Sequence, residues 1–165
     1  MRQNSLSIIF ITVAALMILT AQSCKKSSKS YEEQEAEIIQ QFIDKNPEIN
    51  FEKKPSGLFY YEAKTGTGIS PVTGDSAWVY YSLYRLSGSM IESNSGTGDP
   101  LIYQVDKGEL ISGFDEGVTY MKEGGLAIII VPSGLGYGSR GTYAIPGYTP
   151  LLFELELVKV KHPSK

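Results

Sequence analysis

"PLLFELELVKV", residues 150–160, alternates between two kinds of side chain. Leu151, Phe153, Leu155 and Leu157 fall on one side, Glu154 and Glu156 on the other. Successive side chains of a strand point to opposite faces. The segment therefore belongs to a sheet with one buried and one wet face, the pattern of antiparallel pairing. Upstream runs fit the same plan. "GLFYYEA" (57–63), "SAWVYYSLYRLSG" (76–88), "PLIYQV" (100–105) and "GLAIIIVP" (125–132) read as strands, and turn formers such as "GTGISPVTGD" (66–75) separate them. In the 125–132 run, Ile128 and Ile130 alternate with Ala127, Ile129 and Val131, so both faces are apolar and the outer one needs a cover. Strands and helices do not alternate, which argues against a doubly wound α/β domain.

One stretch interrupts the strands. "GELISGFDEGV" (108–118) sets Leu110, Ile111 and Phe114 among glycines and acids. It is too polar for a buried strand and predicts a short helix from about Gly113 to Met121. A single short helix can cover the inner face of a curved sheet, with glycines letting it pass close.

The N-terminus has a different character. Arg2 precedes an apolar run from about Ile8 to Leu19, and small residues Ala21 and Ser23 lead to Cys24. A run this short falls below the ~20 apolar residues of a membrane span. It predicts a secretory signal peptide over 1–23; an uncleaved anchor is the alternative. Cys24, the single cysteine of the chain, stands where the signal would be cut. That arrangement resembles the lipobox of bacterial lipoproteins, in which the cysteine is acylated, although Ala21 and Gln22 depart from the usual residues. The other reading is a free thiol after ordinary cleavage. Lys25, Lys26 and Lys29 suit an anionic lipid surface and equally a solvated linker.

Residues 24–56 read as a tether and a helix. Ser30 and Glu33 have the spacing of a capping box. Glu32, Glu33, Glu35 and Glu37 occupy early turns, where the helix dipole favours anions. Ile38, Ile39, Phe42 and Ile43 form an apolar stripe, and Pro47 pushes Asn46 out of the helical region, so the helix is expected over about Tyr31 to Lys45. Its stripe must bury on the main domain or on a second copy of the chain.

The 165 residues suffice for one domain plus this appendage. A net charge of −3 without clustered Lys or Arg gives no nucleic-acid footprint. One Cys and one His exclude a disulfide within the chain and an ordinary zinc site. There is no nucleophile–base pair, because His162 lies past the last strand and Cys24 at the opposite end. Asp115 and Glu116 open the short helix, where its dipole accounts for them. An enzyme made of these residues needs a reaction without metal, cofactor or covalent intermediate. Rotation about an Xaa-Pro bond is one: its barrier of roughly 18–20 kcal/mol reflects lost amide resonance. An apolar socket for the proline ring, with donors for the flanking carbonyls, would suffice.

"VYYSLYRLSG", "ELISGFDEGVTYMKEGG", "VPSGLGYG" and "AIPGYTPLLFELELVKV", preceded by "GTGISPVTGD", stand in the order and spacing of the FKBP-type peptidyl-prolyl isomerases. The resemblance covers about Gly57 to Lys161 and places an isomerase domain at 57–161. It implies an α+β fold: a curved antiparallel sheet wrapped around one short helix, preceded by the signal peptide and the N-terminal helix. It implies the catalytic residues Tyr81, Glu92, Ile111 (through its backbone N–H), Phe114 as the floor and Tyr137 through its hydroxyl. Ile91, Leu101, Leu110, Ile145 and Phe153 are implied to bind substrate. Partners would be proline-containing polypeptides, macrolide immunosuppressants and, through a lipid anchor on Cys24, a membrane. A monomer at the cell envelope, assisting the folding of exported proteins, is expected.

The chain departs from the family pattern at several positions. Ile91 and Glu92 replace Phe-Asp, Phe114 replaces a frequent Trp, Thr97 stands where Arg is common, and the "SRGTYA" loop is one residue short. Ile91 removes an aromatic wall, and Thr97 leaves Glu92 without an Arg partner. These changes bear on catalytic efficiency more than on fold, and they motivate a rival reading as a catalytically weak chaperone or binding module.

Overall fold

A computed structural model describes residues 29–163. The elements run α1 (Tyr31–Lys45), β1 (Glu52–Lys53), β2 (Phe59–Lys64), β3 (Ser76–Arg85), β4 (Met90–Ser93), β5 (Leu101–Gln104), α2 (Ser112–Thr119), β6 (Leu126–Val131), a 3-10 turn (Ser133–Leu135) and β7 (Leu151–Lys161). The seven strands form one antiparallel sheet in the order β1-β2-β6-β7-β3-β4, and β5 also pairs with β3. The expected signal peptide and the candidate lipid-bearing Cys24 lie outside the described residues.

β3 and β7 form the spine, paired from Ser76↔Lys161 to Arg85↔Leu151. Leu151, Phe153, Leu155 and Leu157 all reach the inner core, as their alternation predicts. A register shift at Trp78/Val79 then inserts an extra residue in β7. Val158 and Lys159 both face out, and Val160 becomes the next buried position. Along its other edge β3 has two neighbours: β5 takes Ser76–Val79 and β4 takes Ser82–Tyr84. Asn94 fills the interval, accepting the Tyr81 N–H at 2.7 Å and donating to the Val79 carbonyl at 3.2 Å. Neither β4 nor the two-residue β1 is visible in the sequence pattern, since both are short and hold no fully buried residue.

α2 lies on the inner face with Phe114 and Val118 in the core. It ends two residues before the expected Met121, where the Tyr120 and Met121 N–H groups turn back to Gly117 and Val118. Gly113 and Gly117 permit the approach: an added Cβ would stand 2.4 Å from Val131 Cγ1 and 2.7 Å from Ile129 Cδ1, respectively.

α1 covers the outer face. Ser30 and Glu33 form the expected capping box, each side chain bonded to the other's backbone N–H. Ile39, Phe42 and Ile43 pack with Ile130, Leu152, Ile128 and Phe59, so the stripe is buried on the domain itself. Ile38 does not belong to it and is 46% exposed. Glu35, Ile39, Phe42 and Ile43 follow the i, i+4, i+7, i+8 spacing of the buried face, which leaves Ile38 at its margin.

Candidate active site

β3 points Tyr81 and Leu83 inward, two residues apart on one face, and Leu83 stands opposite Phe153 of β7. Leu101 opens β5, and Leu110 and Ile111 lead into α2, whose first turn carries Phe114. Tyr137 follows the 3-10 turn. Tyr81, Leu83, Leu101, Leu110, Ile111, Phe114, Tyr137 and Phe153 together line a cleft of about 60 Å³ between the helix and the sheet. Seven of these eight are residues the sequence singles out; Leu83 is the addition, and its i+2 relation to Tyr81 was the available signal. Ile91, Glu92 and Ile145 do not line the cleft. Ile91 packs half-buried against the core, Ile145 is buried within it, and Glu92 is exposed beside Tyr81.

The cleft is built on an aromatic cluster. Phe114, 3% exposed, meets Phe153 at 5.4 Å, Tyr103 at 5.7 Å and Tyr81 at 5.8 Å between ring centroids. All three contacts are edge-to-face, the arrangement favoured by the ring quadrupoles. Such packing fixes the floor as a rigid apolar surface.

Polar groups stand around it. The Tyr81 hydroxyl donates to Glu92 Oε1 at 2.8 Å. Burial, the bond to Glu92 and the charges of Glu92 and Tyr137 push the Tyr81 phenol up to about 12. It is therefore a protonated donor at physiological pH, already engaged by the carboxylate. The Ile111 N–H and the Tyr137 hydroxyl make no hydrogen bond among the described residues. The chain thus offers two uncommitted donors beside an apolar floor. Thr97 serves its own loop: its hydroxyl donates to the Asn94 carbonyl at 2.7 Å and accepts the Asp99 N–H at 3.1 Å. Tyr81 is the partner of the Glu92 carboxylate among the described residues.

The segment after Tyr137 is tightly closed. Gly141 N–H donates to the Tyr137 carbonyl at 3.1 Å, Thr142 N–H to the Ile145 carbonyl at 2.6 Å, and Arg85 Nη2 reaches the Ala144 carbonyl at 2.6 Å. Asn94, which fastens Tyr81, and Arg85 are framework residues that sequence reasoning missed, because their partners are backbone atoms remote in the chain. Among the described residues no three His, Cys, Asp or Glu side chains cluster as a metal site would require, and no helix is long and apolar enough to cross a membrane.

The comparisons with known proteins agree with this geometry. The sequence profile of the family described as FKBP-type peptidyl-prolyl cis-trans isomerase matches residues 68–158. An FK506-binding protein of Neisseria meningitidis serogroup B is 36% identical over 105 residues, 63% of this chain and 96% of that protein. The FKBP-type peptidyl-prolyl cis-trans isomerase FkpA of Buchnera aphidicola subsp. Baizongia pistaciae is 34% identical over 106 residues, 64% of this chain. The chain spans 41% of that protein's length, and 22% and 54% of two further curated relatives. Among solved structures, the crystal structure of FkpA from Escherichia coli has a TM-score of 0.71 at 26% identity, covering 98% of this chain and 74% of that one. The chain belongs to the FKBP-type peptidyl-prolyl cis-trans isomerase family.

Proposed function

We propose that the chain is a peptidyl-prolyl cis-trans isomerase acting on proline-containing polypeptides at the cell envelope. The observation that carries the reading is the cleft itself: an aromatic floor at Phe114, walls at Tyr81, Leu110 and Phe153, and free donors at Ile111 N–H and Tyr137 Oη. A proline ring seated on Phe114 would leave water. The Ile111 N–H would hold a neighbouring carbonyl, and Tyr137 a second one. Twisting the amide breaks its resonance, returns the lone pair to nitrogen and lessens the charge separation between nitrogen and oxygen. A dry socket disfavours the more polar planar amide, and donors fixed on the neighbouring carbonyls hold the chain on either side of the turning bond. Tyr81 and Glu92 act as a preset pair at the wall. The same socket suits macrolide immunosuppressants, consistent with the name of the Neisseria relative.

The proposed location rests on the N-terminal sequence. The apolar run before Cys24 supports export, and acylation of Cys24 would tether the domain through the lysine-containing spacer. A mass shift lost in Cys24→Ala would test the anchor.

The activity is tested by exchange NMR on Xaa-Pro peptides with the full chain. Acceleration above buffer is expected. A folded chain that binds the peptides without accelerating exchange would instead be the binding module that Ile91, Glu92 and Thr97 bring into view. In that case Ile91→Phe with Glu92→Asp should raise the rate.

A further inference from the structure

Glu35 lies in the second turn of α1, 8% exposed, on the face that packs against the domain. A surface carboxylate suffices for a helix dipole, so burial of this one calls for specific partners. Ser133 supplies them: its backbone N–H donates to Glu35 Oε1, and its hydroxyl donates to Oε2 at 2.7 Å. The two residues are 98 apart in sequence. The apolar contacts of Ile39, Phe42 and Ile43 already fasten α1 to the sheet. The carboxylate adds a directional contact at one place, where the chain leaves β6.

That place leads directly to the cleft. The Ser133 carbonyl accepts the N–H of Gly136 at 2.9 Å and of Gly138 at 2.7 Å, the residues on either side of Tyr137. Ser133 thus holds the backbone that flanks Tyr137, and Glu35 holds Ser133. A second contact from α1 reaches the other end of the same loop. Tyr31 stacks on Tyr148 with centroids 4.6 Å apart and planes within 9°. The Tyr148 N–H donates to the Gly138 carbonyl at 3.0 Å, and Tyr148 sits at φ 56°, a conformation that a non-glycine residue adopts only when its surroundings hold it.

We propose that Glu35 is a positioning residue for Tyr137, and that α1 is part of the frame of the cleft rather than only a cover for the outer sheet face. This rests on the isomerase reading. Tyr137 is 37% exposed and its hydroxyl has no hydrogen bond among the described residues, so its placement depends on the loop backbone. A loop freed by about an ångström can forfeit much of a positioned group's contribution.

The test uses the full chain and two readouts. Glu35→Ala is expected to lower kcat about 3- to 10-fold with a smaller change in KM, because a displaced donor orients the chain beside the turning bond less well. Glu35→Gln keeps an acceptor for one of the two Ser133 donors and should recover most of that loss. In a Tyr137→Phe background, Glu35→Ala should change kcat less than about twofold, since the group it positions is gone. Independently of activity, amide hydrogen exchange at Gly136, Gly138 and Tyr148 should accelerate in Glu35→Ala. Tyr31→Ala, at an exposed residue, should accelerate exchange at Tyr148 without a buried vacancy. Additive losses of Glu35→Ala and Tyr137→Phe, or unchanged exchange over 136–148, would overturn the proposal. A wild-type chain without isomerisation but with the expected exchange changes would refute the isomerase reading and support the Glu35–Ser133 contact as the hold on the loop.

Discussion

The Tyr81 hydroxyl donates to Glu92 Oε1 over 2.8 Å, joining the wall of the cleft to the short strand β4. Glu92, longer by one methylene than the family's usual Asp, therefore still reaches its tyrosine. Tyr81→Phe removes a charge-assisted bond and is expected to lower isomerase kcat/KM roughly fivefold, equivalent to about 1 kcal/mol. It should also change the alkaline stability profile. The folded phenol, raised mainly by burial and then by Glu92, titrates at about 12, above the unfolded value near 10. Its stabilisation is fully present below pH ~10 and is lost as the pH rises through the folded value. Urea unfolding between pH 9 and 12, about the two tyrosine values, should show wild type losing stability relative to Tyr81→Phe. Parallel profiles would mean that the pair is not formed in solution.

Gly113 and Gly117 lie in α2, where alanine would ordinarily gain about 1 kcal/mol of helix propensity. Here sterics reverse the sign. At Gly113 the new Cβ would meet Val131 Cγ1 at 2.4 Å, on a short, stiff and fully buried side chain. At Gly117 it would meet Ile129 Cδ1 at 2.7 Å, the far end of a longer one. Gly113→Ala is expected to cost about 1–3 kcal/mol net and to raise peptide KM, because α2 carries the floor. Gly117→Ala should cost less. Thermal unfolding of the two variants gives the order; the reverse order would refute this account of how α2 approaches the sheet.

Fold and cleft differ in how far they are legible in the sequence. The sheet is legible because alternation over Leu151–Leu157 follows from one buried and one wet face, and the doubly apolar run Ala127–Val131 from two covered faces. Tyr81, Leu110, Ile111, Phe114 and Tyr137 are legible because their motifs resemble a known family, and the structure brings them to one cleft. What stays hidden depends on pairings remote in the chain. Glu35 reads as one of four early glutamates in a helix until Ser133 is placed beside it. Asn94 reads as a loop residue until β4 and β5 leave a gap along β3. Periodicity alone also misassigns Ile38, since a stripe of neighbouring isoleucines does not say where its edge falls.

Two adjacent isoleucines of α1 provide a direct comparison. Ile39 is 4% exposed in the outer cluster and Ile38 is 46% exposed. Ile39→Ala is expected to cost about 2–5 kcal/mol, through lost transfer energy and a cavity against Ile130 and Leu152. Ile38→Ala should stay within about 0.5 kcal/mol. Equal and small effects in denaturant titrations would show that α1 does not pack on the sheet in solution.

Asp75, 1% exposed in the turn before β3, ties the C-terminal tail to the domain. Its carboxylate accepts the Val72 N–H at 2.9 Å and lies 2.7 Å from His162 Nδ1. Burial alone would raise its pKa, but the Val72 bond and the His162 bond and charge outweigh it, holding the carboxyl below the ordinary range. A depressed folded value stabilises the protein above the unfolded pKa of about 3.9, and that contribution is lost as the pH falls through the folded value. Asp75→Asn keeps an oxygen for Val72 but removes the charge, so it should destabilise the chain by about 1–2 kcal/mol at neutral pH. The difference from wild type should shrink below pH ~4 as the native carboxyl takes up its proton. His162→Ala should remove part of the same difference, since the Val72 bond survives. Chemical unfolding of the three proteins from pH 3 to 7, roughly spanning the carboxyl range, measures this. A gap between wild type and Asp75→Asn that does not change with pH would show that the carboxylate's charge contributes nothing.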